Sequence, residues 1–232
     1  MEKEPMRKKS KVKSQKSKVK KIFLFLLFLL FTINCSLIPS VYAATVEEIV
    51  KDIQSRLSDI NDIKGTFTQT SYLKDLEKTE TYSGTFYIKK PSGIMWEYNT
   101  PRDEKVIING TDTWIYRESQ KQAIRTKLSK ESYSQVPIAL LNSLGNLSVE
   151  FNIMLEAHDV LNLRPKQKMG FMQEIILKTV PENFPIKTLK VLDTYGNLIT
   201  IEIRDIKTNL GLKDSLFTFT PPQGVEVYDM SQ

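Results

Sequence analysis

Cysteine and histidine are almost absent from this chain of 232 residues, which contains one of each. Cys35 lies near the N-terminus, and His158 lies in the stretch "EAHDV" with no nucleophile motif beside it. Metal sites need clustered His, Cys and carboxylate ligands, and a catalytic histidine needs a nucleophile and an orienting group. The sequence therefore predicts no metal site and no catalytic residue, and we expect that the protein is not an enzyme.

Glycine is also sparse, with nine in the whole chain. No glycine-rich loop of the kind that cradles phosphates is present, so no nucleotide cofactor, or any other cofactor, is expected. The neighbouring carboxylates Asp103 and Glu104 follow Pro101 and Arg102. This context predicts a solvated turn and not an acid/base pair.

Long apolar runs are missing apart from "IFLFLLFLLF" at residues 22–31. A membrane-spanning helix needs roughly 20 apolar residues, so this run is short for one. It follows a lysine-rich segment and precedes "VYAA" at 41–44, an arrangement typical of a secretory signal peptide. We predict a signal peptide at 1–43, cut after Ala43, and one domain at 44–232. A permanent N-terminal anchor is the first alternative, and lipid attachment at Cys35 is the second, although the preceding "TIN" fits a lipoprotein signal poorly.

The excess positive charge belongs to the predicted leader. Residues 1–43 hold ten Lys and Arg against two Asp and Glu, whereas the whole chain has a net charge of +6, so residues 44–232 carry −2. Nucleic-acid binding is not expected, because it needs a clustered positive field on the folded domain. Residues 44–232 contain no cysteine, which suits an exported protein that folds without disulfides.

What the rest of the chain does contain is one helix followed by many short strands. Apolar residues recur at helical spacing over 46–60, and Thr45 is a plausible N-cap. Alternating patterns then predict about ten strands, with tight turns at 91–93, 109–110 and 193–197. A second, short helix is predicted over 134–145. The fold class is α+β and mainly β, as an antiparallel meander that curls toward a barrel or half-barrel, with the helices covering its concave apolar face.

Bulky side chains are concentrated in the first half of this sheet, and the set expected to line a cavity is Phe67, Phe86, Ile88, Ile94, Trp96, Tyr98, Trp114 and Tyr116. Ordinary core is the simpler interpretation of such residues. Lys90 shares a strand face with Phe86 and Ile88, however, and a buried unpaired ammonium is costly. At a cavity rim its Nζ reaches water or helix carbonyls while its stem lies along apolar surface.

Several segments together resemble the outer-membrane lipoprotein carrier family, the LolA-type periplasmic chaperones. They are "FTQ" (67–69), "GTFYIKKPSGIMWEYNTP" (84–101), "NGTDTWIY" (109–116), "VPIALL" (136–141) and "FTFTPPQGVEVYD" (217–229). The resemblance implies an open, incomplete antiparallel β-barrel whose concave apolar surface is covered by helices. It also implies that "VPIALL" belongs to a lid helix, whose apolar face is Ile138, Leu140, Leu141 and Leu144. Lys90 stands where the family has an arginine that bonds to lid-helix carbonyls.

The function that the resemblance implies is that of a periplasmic carrier, which binds the acyl chains of lipoproteins released from the inner membrane and delivers them to the outer membrane. We expect it to act as a monomer. The expected partners are the acyl chains of lipidated proteins, an inner-membrane ABC-type transporter that releases them, and an outer-membrane receptor that accepts them. Two alternatives stay open, namely a receptor of the same half-barrel fold anchored by lipid through Cys35, and an envelope regulator of that fold.

Overall fold

The computed structural model describes residues 45–99, 101–129 and 147–231, which belong to one compact unit, Ala44–Gln232. Helix α1 is Val46–Ser58 and the one-turn helix α2 is Leu147–Glu150. Two 3₁₀ turns lie at Lys74–Leu76 and Asp214–Phe217. None of the described helices is long and apolar enough to cross a membrane.

The strands are β1 (Asp62–Leu73), β2 (Lys78–Lys89), β3 (Gly93–Tyr98), β4 (Glu104–Asn109), β5 (Asp112–Arg117), β6 (Gln122–Lys127), β7 (Phe151–Ala157), β8 (Val160–Pro165), β9 (Met172–Thr179), β10 (Ile186–Asp193), β11 (Leu198–Thr208) and β12 (Glu226–Asp229). They form one sheet in the order β12-β6-β5-β4-β3-β2-β1-β11-β10-β9-β8-β7. Neighbours are antiparallel except for β12 and β6, which are parallel. Within this sheet the edge strands β7 and β12 do not pair with each other, so the sheet is open and the predicted mainly β, antiparallel, incomplete barrel is confirmed.

Helix α1 begins as its sequence predicts. The Thr45 hydroxyl accepts a bond from the Glu48 N–H (3.2 Å), and the Glu48 carboxylate accepts one from the Thr45 N–H (2.9 Å). This reciprocal capping box satisfies two donors that a helix start leaves unpaired. The helix buries Val50, Ile53 and Leu57 in the core, so it covers part of one sheet face, which we call the concave face.

The register of the sheet shows which side chains share that face. Phe86 pairs with Trp96, Trp96 with Val106, and Val106 with Ile115. Directly opposite residues of neighbouring strands point to the same side of a sheet, and these residues all belong to or pack on the main core cluster. The concave face therefore carries the core.

Three predicted turns are confirmed, because β2–β3, β4–β5 and β10–β11 are adjacent antiparallel pairs joined at these positions. Gly110 and Gly196 adopt φ values of +65° and +85° in the last two turns. A residue with a Cβ is strained in that region, whereas glycine adopts it freely.

Three details of the prediction were wrong. Within the described residues the sheet has twelve strands, and two of them, β8 and β12, were not predicted. The segment 216–220, predicted as a strand, is the end of a 3₁₀ turn followed by irregular chain, and the segment predicted as a strand from 147 begins with α2. The predicted signal peptide and the predicted lid helix, with Ile138, Leu140, Leu141 and Leu144, lie outside the described residues.

Candidate functional site

A cavity of about 680 Å³ lies between the C-terminal half of α1, the start of β1 and the end of β2. Its buried apolar lining comprises Leu57, Ile60, Ile63, Ile88 and Phe184. Its polar and exposed lining includes Lys51, Ser55, Ser58, Asn61 and Lys90. An apolar floor with a few polar groups at the rim is the usual composition of a site for an apolar or amphiphilic ligand.

Lys90 joins the end of β2 to the end of α1 at this rim. Its Nζ donates to the Leu57 carbonyl at 2.6 Å and to the Ser58 carbonyl at 3.2 Å, and its backbone N–H donates to the Asn61 carbonyl at 2.9 Å. The last carbonyls of a helix lack intrahelical partners and carry partial negative charge. The Leu57 carbonyl also accepts the Ile60 N–H at 3.3 Å, so the ammonium group adds a second donor there, binds the last helix carbonyl and complements the helix dipole.

A second set of contacts holds the junction of α1 and β1. The Asn209 side chain donates to the Asp59 carbonyl (3.1 Å) and accepts from the Asn61 N–H (2.7 Å). The buried Asp62 carboxylate accepts the backbone N–H groups of 210–212, at 2.7, 2.8 and 3.1 Å. Sequence reasoning missed both residues, because their partners are about 150 positions away and no local pattern marks them.

The aromatic residues of the first strands form a stack on the concave face. The Phe67 and Trp96 rings are 3.7 Å apart and nearly parallel, and Phe86 and Tyr98 each flank this pair. Trp96 is 3% exposed. In this structure the stack is packed core, next to the cavity.

Six of the eight residues predicted to line a cavity lie on the concave face: Phe67, Phe86, Ile88, Ile94, Trp96 and Tyr98. Ile88 alone among these six lines the 680 Å³ cavity. The remaining lining of that cavity comes from α1, from the start of β1 with the residues before it, from the turn after β2, and from Phe184. Phe184 lies in the loop between β9 and β10, and the sequence pattern did not single it out.

Trp114 and Tyr116 were assigned to the wrong face. Ile115 pairs with Val106 on the concave face, so its neighbours in β5 point to the opposite, convex side. There both rings contact Phe219, at centroid distances of 5.3 and 5.1 Å. They are covered by the C-terminal segment and do not line the cavity.

The end of the concave face farthest from Lys90 is polar. Tyr98 donates to the Gln69 side chain (2.8 Å), and its ring lies 4.1 Å from the Arg102 guanidinium. Glu104 is buried between Arg102 (2.9 Å) and Arg117 (2.8 Å), so the expectation of a solvated turn was wrong at this residue. Burial is the main cause that raises the pKa of Tyr98 above its ordinary value, and its hydroxyl stays protonated at neutral pH.

The described residues include no group of three or more His, Cys, Asp or Glu side chains placed to hold a metal ion. His158 lies in the exposed turn between β7 and β8. The geometry around Lys90 is that of an apolar cavity whose covering helix, α1, is bonded to the end of β2.

Comparisons with known proteins find similar sequences and similar solved structures. Residues 58–220 match the family model described as outer membrane lipoprotein carrier protein LolA. The chain is 29% identical over 201 residues to an outer-membrane lipoprotein carrier protein of Neisseria meningitidis, covering 85% of this chain and 94% of that protein. It is 26% identical over 191 residues to a protein of the same name from Pasteurella multocida, covering 82% and 91%. Among solved structures, a LolA superfamily protein from Nitrosomonas europaea aligns with a TM-score of 0.42 and 16% identity, over 73% of this chain and 97% of that one.

Proposed function

Because the chain belongs to the outer membrane lipoprotein carrier (LolA) family, we propose that it is a periplasmic carrier, which binds the acyl chains of lipoproteins and delivers them to the outer membrane. The observation that carries the proposal is the apolar cavity beneath α1, with Lys90 bonded to the end of that helix. Relatives over most of the chain bear the name of such carriers.

Acyl chains need shelter from water in the periplasm, and the concave face offers apolar surface for it. Burial stabilises a bound chain by about 0.8 kcal/mol per CH₂, so several chains bound without any opposing cost would be held too tightly to hand over. A closed empty state supplies that cost, because the site has to open before lipid enters. Lys90, with the predicted lid helix, is the proposed latch of the closed state.

The proposed wall of the open site is the concave set Phe67, Phe86, Ile88, Ile94, Trp96 and Tyr98. Five of these are core in the present structure and become accessible when the covering helices move apart. Leu57, Ile60, Ile63 and Phe184 join them, because they already line the cavity.

The carrier role fits two further partners. An inner-membrane ABC-type transporter would load the protein, and an outer-membrane receptor would unload it, while the carrier itself performs no chemical step. A lysine at position 90 offers one ammonium point charge, in contrast to the planar fork of an arginine. We propose that the closed state is held less strongly here than in family members that carry the arginine.

Co-purification tests the cargo. The protein is purified from the cell envelope, and bound lipidated proteins are identified by mass spectrometry, for the natural chain and for Ile88→Glu, which places a charge in the cavity lining. Tyr87→Glu is the matched control, because Tyr87 is the adjacent residue on the other face of β2, where its ring faces Lys64. We expect lipidated proteins to co-purify with the natural chain and with Tyr87→Glu, and to be lost with Ile88→Glu. Circular dichroism verifies that both variants keep the fold. Recovery of no lipidated protein with the natural chain would contradict the proposal.

The mature N-terminus distinguishes the carrier from the alternative role, a lipid-anchored receptor. Cys35 follows the apolar run and is the observation that favours it. Intact-protein mass spectrometry distinguishes the two, because a soluble carrier begins at Ala44, whereas the receptor begins at a diacylglyceryl-modified Cys35.

A further inference from the structure

Helix α1 turns a polar stripe toward the cavity. Four of its polar residues line the cavity at helical spacing: Lys51, Gln54, Ser55 and Ser58. Positions three, four and seven apart share one face of a helix, so these side chains form a stripe beside the buried apolar face of α1. The helix therefore gives the cavity a polar wall above the apolar floor.

Lys51 places a cation on this wall that is available to a ligand. The residue is exposed, and it forms no hydrogen bond or ion pair with any residue that the structure describes. The other basic residue of α1, Arg56, is bonded to Asp52 at 2.8 Å. The acidic residues of the first turn, Glu47 and Glu48, are not among the residues that line the cavity.

Lys90 supplies a second cation at the same rim. An ammonium group has three donors, and Lys90 uses two of them for the carbonyls of Leu57 and Ser58. Within the described chain the third N–H is left for a ligand. Ser58 follows Lys51 by seven residues, which is about 10 Å along a helix axis, so the two lysines border opposite ends of the polar stripe.

The charge at the rim is not cancelled by acidic residues of the lining. Among the described residues that line the cavity, Asp62 is the one acid. Its carboxylate is buried and accepts three backbone N–H groups, so its oxygens are already engaged. Two ammonium groups against one engaged carboxylate leave an excess of positive charge, which attracts an anionic group.

From this combination we infer that the cavity binds a single-chain amphiphile with an anionic head, such as a fatty acid or a lysophospholipid. The chain lies on the buried apolar floor, and the carboxylate or phosphate binds Lys51 and the third N–H of Lys90. A cavity of about 680 Å³ has the usual size for one drug-sized ligand, so one such chain fits the structure as it stands.

This ligand class differs from the proposed lipoprotein cargo. The acyl chains of a lipoprotein are joined through esters and amides, which carry no charge, and several chains need the wider, open site. A fatty acid or a lysophospholipid has one chain and a negative head, and the cavity matches both properties. The inference does not rest on the carrier role, because it depends on the cavity and its rim alone.

Isothermal titration calorimetry of the protein expressed from its full-length gene tests the head-group preference. Four ligands with the same twelve-carbon chain are compared below their micelle-forming concentrations: dodecanoate, lauroyl lysophosphatidylglycerol, monolauroylglycerol and dodecyltrimethylammonium. The two anionic ligands should bind about five- to tenfold more tightly than the neutral and cationic ones, and high salt should reduce the difference. Equal affinity for the neutral and anionic ligands, or no binding of either anionic ligand, would overturn the inference. Binding of one anionic ligand alone supports it and tells a carboxylate head from a phosphate head.

Lys51→Glu tests the position of the head without removing the contact between Lys90 and α1. It should weaken binding of the anionic ligands by about fivefold and leave the affinity for monolauroylglycerol unchanged. Lys190→Glu is the matched control, because Lys190 is exposed in β10 and outside the cavity lining, and it should leave all affinities unchanged. Equal losses with the two variants, or an equal loss for the neutral ligand with Lys51→Glu, would overturn the inference.

The outcome is separable from that of the carrier role. Capture of lipoproteins by a chain that binds neither anionic ligand would refute this inference and leave the carrier role standing. Binding of the anionic ligands without capture of lipoproteins would support this inference and refute the carrier role. Circular dichroism verifies that the variants keep the fold.

Discussion

Replacing Lys90 with leucine removes the contact between β2 and the end of α1 and keeps an apolar stem. The Nζ of Lys90 makes two hydrogen bonds to helix carbonyls, at 2.6 and 3.2 Å. Hydrogen bonds to a charged group contribute about 1.5–3 kcal/mol each, but the residue is exposed, so solvent screens the interaction and the lower part of that range applies. A closing bias of about 1–3 kcal/mol corresponds to a factor of about 5–150 in the opening equilibrium, and we expect about five- to tenfold.

The effect on lipid binding follows from the population of the open state. Apparent affinity is reduced by the fraction of molecules that can bind, so Lys90→Leu should hold lipoprotein about five- to tenfold more tightly. The variant is loaded with a lipoprotein, and its transfer to receptor-containing outer-membrane vesicles is followed with time. Greater retention and slower transfer are expected.

Lys89→Leu is the matched control for this experiment. The Lys89 ammonium donates to the Leu212 carbonyl and to the Asp214 carboxylate, both at 2.6 Å, and makes no described bond to α1. It should leave transfer close to that of the natural chain, whereas Lys90→Arg should favour the closed state and reduce retention. Unchanged transfer with Lys90→Leu, or an equal change with Lys89→Leu, would refute the latch.

Further predictions concern stability. Trp96→Ala should lower the free energy of unfolding by about 3–5 kcal/mol, measured in urea, whereas Trp114→Ala should cost less because Trp114 is half-buried; equal losses would contradict the assigned faces. Asp62→Asn should cost about 1–3 kcal/mol by the same measurement, because the carboxylate accepts three backbone N–H groups and an amide has one oxygen. The pKa of Tyr98 is raised above its ordinary value of 10, so above pH 10 the folded state keeps the hydroxyl proton while the unfolded state loses it. The free energy of unfolding therefore falls as the pH rises past 10. Thermal unfolding of Tyr98→Phe should show a shallower alkaline decline, and an identical slope would contradict this cause.

Local signals in the sequence were sufficient for α1 and for the tight turns. Thr45 and Glu48 form a capping box from residues three positions apart, and Gly110 and Gly196 have the φ values that these turns demand. Such features depend on neighbours along the chain, so a sequence pattern contains them.

The faces of β5 could not be read from its sequence. "DTWIYR" has bulky apolar residues on both sides, and the alternating pattern does not say which side meets the core. Ile115 faces the core because β5 pairs with β4 in that register. Trp114 and Tyr116 are sheltered by Phe219, more than 100 positions away in the chain.

The cavity rim was predicted in part. The position of Lys90 on an apolar strand face indicated a cation near helix carbonyls, and it contacts the carbonyls of α1. No local pattern encodes the contacts that Asn209 and Asp62 make at the junction of α1 and β1, or the place of Phe184 in the cavity lining. Both depend on segments that are distant in the chain.

Release of a lipoprotein from inner-membrane vesicles into solution is the most direct test of the carrier role. The purified protein is incubated with energised vesicles that contain the ABC-type transporter and a labelled lipoprotein, and soluble complexes are separated by size. We predict that a soluble complex of carrier and acylated lipoprotein appears, and that the same lipoprotein without its acyl chains is not captured. No release, or equal capture of the form without acyl chains, would contradict the account.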